Sequence, residues 1–181
     1  MPPPRPLAVA VLLAALAAGA VPASPAASGF RADWLKNFDE AADKATRLVR
    51  TMPGAALAWR PAAGVRSGNQ VIAHLALTNY YLPRYLGAPA PAEITRELEL
   101  EDDPVRLRRV LAESLAHARA VVVDLDDAAL ERKVRIFGGR EVTTRELLLI
   151  ALGHLHEHLG QLIAYARANG VVPPWSAVEV P

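Results

Sequence analysis

Apolar residues recur along this chain with the period of helices. Trp34, Phe38, Ala41, Ala45, Leu48 and Met52 follow one another at spacings of three and four, which predicts an amphipathic helix over about 30–52 with one buried stripe. Pro53-Gly54 ends it, and 55–66 reads as an irregular connection with Trp59 as its anchor. Ser67-Gly68-Asn69-Gln70 has the form of a capping box and opens a second helix to about Leu86, with Pro83 disturbing its last turns. Asp103-Pro104 starts a third helix, with aspartate as cap and proline at the first helical position, and its stripe is Leu107, Leu111, Leu115, Ala118, Val122 and Leu125. Val134 to Val142, turning at Gly138-Gly139, predicts a short hairpin or tight turn. Thr143-Thr144-Arg145-Glu146 is a second capping box, and the fourth helix it opens runs to Asn169-Gly170. Four long helices with one long crossover between the second and third predict an all-α four-helix bundle.

The first 27 residues stand apart. Arg5 precedes an apolar run from Leu7 to Val21, and small residues and prolines follow. That is the layout of a secretory signal peptide, cleaved somewhere within residues 23–27, and the run is shorter than the ~18–20 residues of a spanning helix. The expectation is a single helical domain over 28–181 in a secreted or periplasmic protein, with no stable membrane span after cleavage. The chain has 20 basic and 19 acidic side chains. Without Arg5 the two balance, which argues against a nucleic-acid partner, since that needs a basic face. There is no cysteine. A thiol nucleophile and a thiolate metal site are thereby excluded, and any metal has nitrogen or oxygen ligands. An apolar helix face serves a homodimer as well as a core, so the oligomeric state stays open.

The chemistry is concentrated in the fourth helix. His154 and His158 are four apart and share a face. With His154 at zero on a wheel of about 100° per residue, His158 lies near 40°, Gln161 near 340° and Tyr165 near 20°. The apolar stripe of Leu148, Leu152, Leu155, Leu159 and Ile163 lies beside this strip, at about 100–180°. Gly160, near 240°, would permit a close helix approach. On the second helix His74 borders the stripe of Val71, Leu75, Thr78 and Leu82. A third imidazole from another helix completes a three-histidine site with an open coordination position, so His74, His154 and His158 are the candidate metal ligands. Taken singly, each is also an ordinary packed or pH-sensitive histidine. It is the coincidence of both helices that favours metal. His117 has no partner at ligand spacing and reads as a surface or boundary residue. His154-x-x-Glu157-His158 also matches the H-x-x-E-H signature of inverted zinc peptidases, with the glutamate as general base. On the wheel, however, Glu157 is poorly aimed, about 60° from His154 and 100° from His158.

Trp59-Arg60-Pro61 through Ser67, the helix with His74, His154-x-x-x-His158-Leu159-Gly160-Gln161, and Tyr165-Ala166-Arg167 with Gly170-Val171-Val172-Pro173-Pro174 together resemble the DinB-like family over about 30–175. The resemblance implies a bundle in up-down-down-up order. It also implies a divalent metal, zinc or nickel, on one histidine of the second helix and two of the last, which here are His74, His154 and His158. Its best understood members are cytoplasmic and use small thiols. The function expected is therefore an exported metal-dependent hydrolase of an unidentified small molecule, with a non-catalytic metal-binding or interaction module as the alternative and a thiol-dependent transferase behind both.

Overall fold

The computed structural model describes residues 29–176, so the signal peptide expected over 1–27 lies outside the described residues. Helix α1, Phe30–Thr51, buries its predicted stripe from Trp34 to Leu48, and Met52 is buried at its C-cap. Trp34 stacks on Phe38 at 4.7 Å and donates its indole N–H to the carbonyl of Leu148 at 2.8 Å. A buried indole thus keeps its hydrogen bond while its rings fill the core.

The segment expected to be irregular contains a short helix, α2 (Gly54–Ala58), because Ala56 and Leu57 find a buried face there. It ends against the start of α3, Gly68–Tyr81. A Cβ on Gly68 would lie 2.8 Å from the carbonyl oxygen of Leu57, so only glycine permits this approach. The Ser67–Gln70 capping box is fully formed. Val71, Ile72, Ala73, Leu75, Ala76 and Leu77 are all buried, so α3 is covered nearly all round rather than along a single stripe. It stops at Tyr81, short of the expected Leu86. Pro83 has no N–H for an α-helical bond, and Pro83–Leu86 tightens into a 3₁₀ turn closed by Gly87 at φ +89°.

A crossover with a second 3₁₀ turn, Arg96–Leu100, leads to α4, Pro104–Val123, where the Asp103 side chain accepts from the amides of Val105 and Arg106. Five of the six predicted core residues are buried within it, and the sixth, Leu125, is buried just beyond its end. Strands β1 (Lys133–Arg135) and β2 (Glu141–Thr143) pair antiparallel with Val134 opposite Val142, and Gly138 and Gly139 turn the chain at positive φ. Helix α5, Thr144–Ala168, follows directly. Only half of its expected capping box forms. Thr143 accepts from the Glu146 amide, while the Glu146 carboxylate pairs with Arg140.

The order of the bundle follows from contacts along the helices. Asn69 meets Asp102 and Asn79 meets Ser114, so α3 and α4 run parallel, as the long crossover between them requires. Trp34 meets Leu148 near the starts of α1 and α5, so these too are parallel. Arg108 bonds the carbonyls of Val49 and Met52 while Arg119 pairs with Asp39, so α4 opposes α1. Up, down, down, up is the result. Although α5 is apolar and long enough to match a membrane span, it packs on both α1 and α3 as a core helix.

Candidate metal centre

Helix α5 is rotated relative to the expectation from sequence. Its buried residues, Leu147, Leu148, Leu155, His158, Leu159, Leu162, Tyr165 and Ala166, centre near 80° on the wheel, about 60° closer to the histidine strip than expected. Leu152 and Ile163 are consequently only half-buried. The rotation follows from α5 packing on α1 and α3 together. It sinks His158 into the core, leaves His154 half-buried at its margin, and turns His156, Glu157 and Gly160 outward. Nothing approaches Gly160, so the close helix approach it would permit is not used. The exposed Glu157 faces away from the site, which removes the peptidase-like assignment of a base.

The structure brings the side chains of His74, His154 and His158 together. Nε2 of His154 lies 3.1 Å from Nε2 of His74 and 3.1 Å from Nε2 of His158. The ring contacts are tilted or T-shaped, and the two short Nε2 separations show that nitrogen-bearing edges meet.

The outer nitrogens decide what these edges carry. Nδ1 of His158 lies 2.9 Å from the Gln161 side-chain oxygen, which only accepts, so Nδ1 holds the proton and Nε2 is left with a lone pair. Nδ1 of His74 faces a Glu99 carboxylate oxygen at 3.5 Å, with the same consequence. Two lone pairs thus converge on the Nε2 edge of His154, which with one proton could satisfy only one of them. Burial, reinforced by the neighbouring His158, His74 and Arg66, pushes the His154 pKa down to about 3, so the ring is neutral at physiological pH. Burial also lowers His74, with Arg66 and His158 adding to the effect and Glu99 partly offsetting it.

Such a cluster suits a cation. Nitrogens sharing an ion at about 2.0–2.1 Å, with angles of about 90–109°, lie about 2.9–3.4 Å apart. The two 3.1 Å separations fall in that range.

Gln161 and Tyr165 extend the site. The Gln161 amide donates to the Tyr165 hydroxyl at 2.9 Å, and that hydroxyl donates to the Arg66 carbonyl at 3.1 Å. Trp59 packs edge-on against the Tyr165 ring at 5.2 Å. His158 is therefore oriented by a line of hydrogen bonds that ends on the backbone just before the Ser67 cap. Sequence reasoning missed Glu99 and the ion pair it makes with Arg66 at 3.8 Å. Glu99 lies in the crossover, where no periodicity signals its position. Beside His154 opens a cavity of about 300 Å³, also bordered by Thr78, Tyr81, Arg84, Tyr85, Phe137 and Ile150.

The family model for the DinB superfamily matches residues 37–162. No curated protein sequence matches the chain. Among solved structures, the DinB-like protein YjoA of Bacillus subtilis is 20% identical, with 77% of this chain and 93% of that one covered and a TM-score of 0.61. YfiT of Bacillus subtilis, described as a probable metal-dependent hydrolase with an unusual four-helix bundle topology, is 19% identical, with 78% and 89% covered and a TM-score of 0.63. A mycothiol-dependent maleylpyruvate isomerase is 19% identical, with 75% and 63% covered and a TM-score of 0.55. At these identities the likeness is one of fold.

Proposed function

Since this chain belongs to the DinB superfamily, we propose that it is a metal-dependent hydrolase in which His74, His154 and His158 hold a divalent ion, zinc or nickel. The observation that carries this is the convergence of three Nε2 edges, with the outer nitrogens of His74 and His158 facing acceptors. An ion held there supplies Lewis acidity, which makes water nucleophilic near neutral pH. The chain's own residues fix the ligands. Gln161 and Glu99 hold the Nδ1 protons of His158 and His74, and burial keeps His154 neutral. The fold shared with YfiT supports the hydrolase reading.

A non-catalytic metal-binding module needs no cavity at its ligands, and the space beside His154 favours catalysis. A thiol-dependent reaction draws support only from the fold shared with the mycothiol-dependent isomerase. The signal-peptide-like segment over 1–27 supports a secreted or periplasmic site of action, away from cytoplasmic thiols.

The test is elemental analysis of the mature protein, purified without chelator or histidine tag, beside His74→Ala. The expected result is about one zinc or nickel ion per chain, lost in the variant. Absence of metal from both, even after either ion is supplied, would overturn the proposal.

A further inference from the structure

The cavity beside His154 carries information about what enters it. Because Pro83 ends α3 and tightens the next turn, Arg84 and Tyr85 are presented at the cavity beside Tyr81. The exposed Arg84 guanidinium has its carbon 5.2 Å from the centroid of each phenol ring, and its Nη2 donates weakly to the Tyr85 hydroxyl at 3.4 Å. Cation–π contacts of this kind hold a guanidinium in place without neutralising it. No acidic side chain lines the cavity, and Arg84 makes no ion pair among the described residues.

Part of the lining is apolar. Ile150 comes from α5 and Phe137 from the hairpin turn, and Phe137 is left 53% exposed although it is large and hydrophobic. Its exposed ring borders a space of about 300 Å³, at the lower end of the size of small-molecule sites. The space therefore has a cation held by two phenols, an apolar wall, and the ligand His154 beside them.

We propose that this cavity binds a small carboxylate with an apolar or aromatic body. Its acid group pairs with Arg84, whose planar fork matches a carboxylate. Its body lies against Phe137 and Ile150, and its hydrolysable end is directed to His154. Only that last element rests on the metal-dependent reading. The other two belong to residues that are not among the three histidines, so binding does not require the ion.

The experiment is calorimetric titration of the mature protein, metal-free and zinc-loaded, with 3-phenylpropanoate and with 3-phenylpropanamide. The acid is expected to bind one-to-one in both forms, a few-fold tighter than the amide, as a pair at an exposed guanidinium implies. Arg84→Gln should bring the acid down to the affinity of the amide while leaving the amide unchanged, and a parallel melting curve reports whether the variant is folded. Three results would each overturn the proposal: equal binding of acid and amide, no binding of the acid up to about 10 mM, or zinc-dependent binding that survives Arg84→Gln, which would put the carboxylate on the ion. Arg84-dependent binding to a protein that takes up no metal would sink the hydrolase reading and keep the ligand class.

Discussion

Two half-buried histidine environments lie in this bundle, and they look alike until their edges are followed. On α4, His117 packs its ring 5.1 Å from Tyr80, and burial lowers its pKa. On α5, His154 is lowered by burial as well. Nε2 of His117, however, is buried without a hydrogen-bond partner among the described residues, whereas Nε2 of His154 faces two other ring nitrogens. A depressed pKa therefore reports only that the protein keeps a ring neutral. What separates a candidate ligand from a packed histidine is lone pairs aimed at one point, with the outer nitrogens held by acceptors.

The largest effect that sharpens this contrast is expected from His154→Ala. One of three ligands' share of a total of about 10–16 kcal/mol predicts a roughly 10²–10⁴-fold loss of zinc affinity, read by competition with a chromogenic chelator. The matching His117→Ala should bind zinc as the parent does, and equal losses in the two variants would erase the distinction. Next is Gln161→Ala, which frees the His158 ring and should weaken zinc binding about 10–100-fold, as loss of an outer partner does. Gln161→Glu keeps an acceptor at Nδ1 and should recover most of it.

The smallest effect is one of pH. Unfolded His117 takes up a proton below about pH 6.5, while the folded ring resists it. Its contribution to stability is thus complete above that pH and is lost as the pH falls toward the lower folded value. His117→Leu should then narrow the gap between urea unfolding free energies at about pH 7.5 and 5.5 in metal-free protein. An unchanged gap would mean that this ring is not the one resisting protonation.

Much of the bundle was legible because its helices announce themselves locally. The stripe from Trp34 to Met52, the Ser67–Gln70 box and the Asp103-Pro104 start all depend on neighbours within a turn, and each appears where the pattern predicts it. The same holds for the glycine-turned hairpin. The meeting of His74 with His154 and His158 was legible because each borders a core stripe. Less legible was anything set by packing between distant segments. The rotation of α5 comes from its two neighbours, and it changed the fates of Leu152, Ile163 and Gly160 without any local signal. Glu99 reaches His74 from a turn with no period to read. Pro83 was rightly placed as a disturbance, but that it would carry Arg84 and Tyr85 to a cavity depends on where the 3₁₀ turn points them.

The separation between the candidate ligands along the chain has a consequence for when the site comes into being. His74 and His154 stand 80 residues apart in sequence and touch across two antiparallel helices. Until the last helix has been synthesised and has docked, no pair of nitrogens spans that gap, and His74 is held apart from the two candidate ligands that helix carries. An ion can be captured by all three histidines only after folding is complete. The supply that would set its identity is therefore that of the compartment in which the chain finishes folding, whichever compartment makes it.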